Sequence, residues 1–497
     1  MDRKEFLYKI GIGVAAWMIP SFWNDPYPWD EVLAVARAFV AKESPDTVWP
    51  FERETSTDKK VFLHYFTPFP LSFDNKPTDQ DYYRRQYMER QGENGKFQHV
   101  GGYLRERPLG AGTLDGPHWQ GTNMAIDVLR AQALGADGFG VDLQQLDQGR
   151  YWDSVTALLG AAQASKTGFS ILIEPDTDIL KAVGPDHLVT TLTQLAQSKA
   201  AYRLQDGRLL LAPFAPEEQP VTFWQEVLDG LRKAGVPAAL LPVFNNLRLH
   251  AKDFAPVSYG MSEWGNRDPA GVDGDAAIRV WQQLKGPDAI WMEPVAPQDM
   301  RPKVSIFWEA SNTDLFRHSW MKAIREGAQY AHVVTWNDYS EATEIEPSSG
   351  TQFLFYDLSA YYIQWFKTGR EPRITRDTIY YCHRRDIFQP GKPPLPDDKP
   401  LKLLGTGMIQ NQVEMIALLT QPAFLEIHQG SQVRSVRAGA GLTVLKAPAC
   451  LGRPLFRIVR DNAVVVEKAS DWEIMAQTTA EDPLYVGGGS NRPFVVA

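Results

Sequence analysis

A chain of 497 residues, 44% hydrophobic and 22% charged, has the composition of a globular protein, which excludes long disorder and a membrane bundle. It is too long for one ordinary core, whereas a barrel of about 250 residues with insertions counts as a single domain, so two domains are expected. The formal net charge of -9 supplies no sequence-wide basic field and argues against a nucleic-acid partner.

Residues 1–22 place Arg3, Lys4 and Lys9 ahead of a nearly uncharged run from Ile10 to Ile19, the layout of an export signal. The run is too short to span a bilayer, and Arg3-Lys4-Glu5-Phe6-Leu7 resembles a twin-arginine signal with Lys in the second arginine position. A secreted or periplasmic location follows as an expectation, with no stable membrane partner beyond that signal or anchor. Residues 23–59 read as a helical extension. From Lys60 onward short apolar runs alternate with helix-period segments, as in βα units around a parallel sheet. Strands are expected at Val61–Phe66, Asp137–Leu143, Phe169–Pro175, Leu209–Phe214, Ala238–Phe244, Val257–Trp264, Ala289–Val295 and His332–Asn337. Eight such units predict an α/β fold, a (β/α)8 TIM barrel over residues 60–387. The first connection, Thr67 to Trp119, is too long for a simple loop and is expected to wall the active site; its Arg105 and Arg107 serve equally as ion-pair partners. Residues 388–400 form a Pro-rich linker, and residues 401–497, with short alternating runs between turn residues, read as an all-β, sandwich-like accessory domain that braces the barrel. Cys382 and Cys450 are the two cysteines and are expected as two free buried thiols rather than a bridge.

Acidic side chains at the carboxyl ends of barrel strands converge on one rim, which singles out Asp142, Glu174 with Asp176, Glu263, Glu293, Asp338 and Glu341. The strongest local signal is Thr335-Trp336-Asn337-Asp338-Tyr339-Ser340-Glu341 at the end of the eighth strand. Two carboxylates three positions apart suit cleavage of a glycosidic bond, one donating a proton to the departing oxygen and the other activating water. Spacing alone leaves this open, because acidic loops are commonly just solvated. Trp264, Trp308, Trp336 and Tyr339 lie near strand ends, where they serve either as sugar platforms or as packing under the rim. Glu263, Glu174 and Asp176 are candidate substrate contacts, with structural ion pairs as the alternative. His64 is either a sugar-hydroxyl partner or a satisfied core histidine. The nine histidines show no paired ligand spacing and no Gly-rich phosphate loop follows the first strand, so neither metal nor cofactor is expected.

The segment Thr335 to Glu341 resembles the Thr-Trp-Asn-Asp-Tyr-Gly-Glu signature of glycoside hydrolase family 71, the α-1,3-glucanases or mutanases. Val61-Phe62-Leu63-His64-Tyr65-Phe66, Gly135-Ala136-Asp137-Gly138-Phe139 and Thr313-Asp314-Leu315-Phe316 resemble further family segments, and the long first loop resembles a bacterial branch. The resemblance implies an inverting endo-hydrolase of a polysaccharide, working without cofactor, with Asp338 and Glu341 as the catalytic dyad and Asp142 at a further acidic position. Ser340 stands where the fungal enzymes carry Gly, and Thr343-Glu344-Ile345-Glu346-Pro347 is similar to family 99, the endo-mannosidases and mannanases. Analogy with both families implies Glu341 as general acid and Asp338 as the group that activates water. An α-mannan endo-hydrolase, a non-catalytic glycan-binding barrel and a structural surface protein remain as alternatives.

Overall fold

The computed structural model describes residues 26–54 and 59–496, so the export-signal reading of residues 1–22 lies outside the described residues. Strands β1 Lys60–Tyr65, β2 Gly138–Leu143, β3 Ser170–Pro175, β4 Leu209–Leu211, β5 Ala238–Leu240, β6 Val243–Phe244, β7 Gly260–Glu263, β8 Ile290–Val295, β9 Met300–Arg301, β10 Ile306–Trp308 and β11 Tyr330–Val333 make up the first part of the chain. All but β9 and β10 form one curled parallel sheet in the order β5-β4-β3-β2-β1-β11-β8-β7-β6. Each of the eight expected strand segments contributes to it. β5 and β6 flank Pro242, which has no N–H to give a ladder. β5 pairs with β4 and β6 with β7, while the bridges Phe214 to Val243 and Leu240 to Ser258 bring residues 238–244 against both neighbours.

Strand alternation divides the apolar side chains. Val61, Leu63 and Tyr65 of β1 join the layer under the helices, whereas Phe62 packs inside the curl with Leu172, Leu210, Met292 and Tyr330. Higher on the inner face the lining turns polar, and Gly140 makes this feasible: a Cβ there would stand 2.1 Å from Oε1 of Glu174. Helices Trp119–Leu134, Arg150–Ser165, Pro185–Leu195, Val221–Lys233, Ala277–Lys285, Asp314–Arg325 and Leu354–Thr368 lie between the strands in sequence. Leu247–Phe254 and Pro269–Gly274 are further helices, too short for an apolar period to show. The N-terminal helix Trp29–Glu43 buries Val32, Leu33, Ala36 and Val40 against Trp119–Leu134 and Arg150–Ser165.

The C-terminal part adds β12 Thr378–Arg384, β13 Lys402–Leu404, β14 Gln412–Leu419, β15 Ala423–Gln429, β16 Gln432–Ala438, β17 Gly441–Pro448, β18 Leu455–Arg460, β19 Ala463–Ala469 and β20 Tyr485–Gly489. Two antiparallel sheets, β17-β14-β12-β20 and β16-β15-β18-β19, enclose Ile379, Tyr381, Met415, Leu425 and Phe456. β12 precedes the Pro-rich stretch yet bonds to β14 and β20, so hydrogen bonding places it with these sheets and not with the barrel side of a boundary at 388. Strands β18 and β19 form a hairpin turning at Asp461 and Asn462, whose φ of 51 and 62 suit a two-residue hairpin turn.

The Pro-rich stretch is fastened rather than free. Arg90 pairs with Asp398, Lys399 N donates to the His99 carbonyl at 2.6 Å, and Glu481 accepts from Gly391 N and Leu401 N at 2.8 Å each. β13 then runs parallel to β10. Tyr380, Cys382, Ile416, Leu418 and Tyr485 belong to the same apolar cluster as Leu354 and Leu358 of the helix Leu354–Thr368. Both cysteines are free, Cys382 buried and Cys450 half-buried.

Candidate active site

Past β11 the chain still bonds to both neighbouring strands: Val334 N donates to the Val295 carbonyl and Trp336 N to the His64 carbonyl, both at 2.7 Å. The loop that follows is closed by Thr335, whose N–H donates to the Thr343 carbonyl at 2.8 Å and whose hydroxyl accepts from Asp338 N at 2.8 Å. Asn337 stitches this loop to the one after β1. Its Oδ1 accepts from Phe66 N at 2.7 Å, and its Nδ2 donates to the carbonyls of Phe69 at 2.7 Å and Phe66 at 3.2 Å. The motif residues around the dyad therefore hold the turn that presents it.

Asp338 is almost buried, and its Oδ1 accepts from Ser340 Oγ at 2.7 Å, Ser340 N at 2.9 Å and Glu341 N at 3.2 Å. Burial raises its carboxyl, and the Ser340 hydroxyl bond with the charges of Lys303 and Arg301 opposes that rise. Glu341, partly exposed, stands 2.9 Å from Nη2 of Arg301. Burial, then the adjacent Asp338 carboxylate, pushes Glu341 up to about 8 against the pull of Arg301 and Arg267. Arg301 is braced by Asp299 at 2.7 Å and lies over the Trp308 ring, 5.2 Å from its centroid. From the long first connection, Tyr103 reaches Ser340 with its hydroxyl.

Asp142, at the end of β2, shares this region. Burial lifts its carboxyl well above the ordinary range, followed by the fields of Asp176, Glu174 and Asp338. Gln144 Nε2 donates to Asp142 at 2.8 Å and to Asp176 at 3.4 Å. Beneath them Glu174 lies 2.6 Å from Nδ1 of His64 and 3.0 Å from Nε2 of His332. Burial alone would raise Glu174, but His332 and His64 bring it down to about 2. Trp264, half-exposed, stands edge-on to the His64 ring at 4.9 Å and packs beside Phe214 at 4.6 Å.

A glycosyl hydrolase family 71 model matches residues 117–485. The chain belongs to this family. It is 24% identical over 236 residues to the ascus wall endo-1,3-alpha-glucanase of Schizosaccharomyces pombe, a match covering 45% of this chain and 53% of that relative's length. It is 22% identical over 372 residues to glucan endo-1,3-alpha-glucosidase agn1 of the same organism, covering 69% of this chain and 85% of the relative. Among solved structures, a GH99 endo-alpha-mannosidase from Bacteroides thetaiotaomicron aligns with a TM-score of 0.48 at 14% identity, over 64% of this chain and 99% of the other.

In this family 71 protein several expected site residues sit elsewhere. Trp336 is fully buried against Phe139 and Tyr356, and Tyr339 is buried between Phe69 and Tyr83 with its hydroxyl on Glu346 at 3.0 Å, so neither offers a sugar platform. Glu263 faces outward: burial and the Asp275 carboxyl push it up to about 8, and Lys322 binds Asp275 and Glu293 at 2.7 Å each. It packs in an ion cluster, as does Glu293, rather than toward the dyad. His64 is buried and spends Nδ1 on Glu174, the satisfied core histidine. Trp264, Trp308, Asp142 and Asp176 stay with the site.

Residues not foreseen are Arg267 between β7 and β8, Asp299 between β8 and β9, Arg301 at the end of β9, Lys303 just after it, and Tyr103. The length of the connections was the available signal, since none carries a motif. The His64, Glu174 and His332 group also escaped the sequence, being drawn from three strands; its ligand atoms come within 4.8 Å of one another, the spacing at which a metal ion can be considered. Two ligands about 2.1 Å from a tetrahedral zinc stand roughly 3.4 Å apart. The 2.6 Å between His64 and Glu174 is a shared hydrogen bond.

Proposed function

We propose that this family 71 protein is an endo-acting, inverting hydrolase of an α-linked polysaccharide, α-1,3-glucan first, exported to act outside the cytoplasm. The observation that carries the reading is the contrast between two carboxyls on one loop. Glu341, pushed up to about 8, holds a proton at neutral pH; at Asp338 burial also raises the carboxyl, but three donors on one oxygen and the charges of Lys303 and Arg301 oppose that rise and favour the ionised form. In the proposed step Glu341 gives its proton to the glycosidic oxygen as the bond to the anomeric carbon breaks. Water attacks that carbon from the opposite face and passes its proton to Asp338. Tyr103, which faces Ser340, and Trp264 and Trp308, which lie under Arg267 and Arg301, are partly exposed aromatics of this region and are assigned as sugar platforms. The names of the two fission-yeast relatives support α-1,3-glucan as substrate. For the scaffold, the pairing of residues 238–244 with both neighbours supports a closed (β/α)8 barrel, β5 and β6 counting as one strand, and the C-terminal sheets are assigned to bracing it.

Reducing-end release from insoluble α-1,3-glucan, with the anomer of the first product followed by proton NMR, tests this. Release of β-configured ends is expected; α-configured ends would refute inversion. Release from α-mannan alone would move the protein to the mannosidase-like alternative, and binding without release to a glycan-binding barrel. The positive charge of Arg301 holds Glu341 down, so Arg301→Gln should keep Glu341 protonated to higher pH. The alkaline limb of kcat/KM then moves up from near pH 8; a limb that stays put belongs to another group.

A further inference from the structure

Beyond the dyad the catalytic loop continues as Thr343-Glu344-Ile345-Glu346-Pro347, and its two glutamates meet different partners. Glu344 is 2% exposed, and neither of its carboxyl oxygens has a donor among the described residues. The group within hydrogen-bonding reach is another carboxyl, that of Glu106 in the long first connection. Glu106 is itself buried, and its Oε2 accepts from the Ser348 hydroxyl, from Gly350 N at 3.1 Å and from Thr351 N at 3.2 Å. The other titratable groups facing this pair are Asp338 and Tyr339 on the side of Glu344 and Asp482 on the side of Glu106. Among the described residues no lysine or arginine pairs with either glutamate. Two ionised carboxylates here would be buried like charges without a counter-ion, an arrangement that one proton shared between them relieves.

Glu346 repeats the pattern. It faces Asp127 of the helix Trp119–Leu134, whose Oδ1 has no donor and whose Oδ2 accepts from the Tyr65 hydroxyl at 3.0 Å. Tyr339 donates to Glu346 at 3.0 Å, and Nη1 of Arg130 stands 3.5 Å away. The same guanidinium binds Glu43, so one positive charge faces three carboxyls, the partly exposed Glu43 and the buried Glu346 and Asp127, which again leaves room for one proton on the buried pair.

We propose that Glu344 and Glu346 are positioning residues that fix the catalytic loop through two proton-sharing carboxyl pairs, Glu106 with Glu344 and Asp127 with Glu346. The proposal rests on the reading of Asp338 and Glu341 as the dyad only in so far as it concerns catalysis; the shared protons are a property of the fold. Burial first, then the partner carboxyl, raises Glu344 and Glu346 above the ordinary range, and burial lifts Asp127 to about 6. A carboxyl raised in the folded state binds its proton more tightly than the unfolded chain does. Its contribution is therefore present at acidic pH and lost as pH rises from the ordinary carboxyl range through the raised value.

The test is thermal unfolding of the full chain from pH 5 to pH 9 for wild type, Glu344→Gln, Glu346→Gln and Glu344→Ala, with glucan hydrolysis measured at pH 5. A glutamine mimics the protonated acid without titrating. The Gln variants should melt near wild type at pH 5 and lose roughly 5 °C less than wild type by pH 9. Glu344→Ala should lose kcat about tenfold, and Glu344→Gln should recover it. Melting curves of the Gln variants that fall in parallel with wild type would overturn the proposal, as would a Gln variant as impaired at pH 5 as the Ala variant. Should wild type release no sugar from any glycan, the functional reading fails while the melting arm still decides the proton pairs.

Discussion

Asp338→Asn and Glu341→Gln should each lower kcat on α-1,3-glucan by about 10²- to 10⁴-fold, the span removed with a positioned acid or base. Both substitutions are isosteric. The amide introduced by Asp338→Asn would keep an oxygen for the N–H groups of Ser340 and Glu341, and the amide introduced by Glu341→Gln resembles the protonated acid that burial already favours, so melting temperatures should stay near wild type. The two variants separate on an aryl glycoside whose leaving group departs without protonation. Glu341→Gln should recover most of its rate there and Asp338→Asn should not, and the reverse pattern would exchange their roles.

The largest stability effect is expected at Arg130. Its guanidinium is wholly buried, binds Glu43 through Nη2 at 2.6 Å and Nε at 2.8 Å, and donates to the Leu109 carbonyl at 2.6 Å. One side chain thus ties the N-terminal helix, the long first connection and Glu346 of the catalytic loop. Arg130→Met keeps much of the volume but strands the Glu346 side, since Glu43 is partly exposed and can turn to water whereas Glu346 cannot. Removing one partner of a buried ion pair costs about 3–5 kcal/mol. The midpoint of urea unfolding followed by tryptophan fluorescence should fall accordingly. A shift under about 1 kcal/mol would mean that Glu346 takes up a proton at little cost.

The strands around the site were legible because each is an apolar run set off by helical periodicity, and the placing of Asp338 and Glu341 on one loop because two carboxylates follow such a run in one recognisable motif. Sidedness was harder to read. Glu263 and Trp264 are adjacent, and one position along a strand decides whether a side chain enters the site or leaves it. Trp336 and Tyr339 fail as platforms for a related reason: the turn closed by Thr335 and Thr343 directs both side chains under the loop, and turn geometry has no periodicity. Arg301 and Tyr103 act on the dyad from connections whose path depends on tertiary packing. Strand β20, with Gly487 to Gly489, carries little strand propensity; its glycines are explained by neighbours, since a Cβ at Gly487 would stand 2.4 Å from Cδ2 of Leu354.

The apolar cluster shared between the helix Leu354–Thr368 and strands β12, β14 and β20 changes where the molecule can be cut. A fragment ending at the Pro-rich stretch would keep β12 without either hydrogen-bonding neighbour and bare the greasy flank of that helix. Shortening the protein for expression, or exchanging its C-terminal part for an unrelated domain, therefore means redesigning a core rather than trimming a tether.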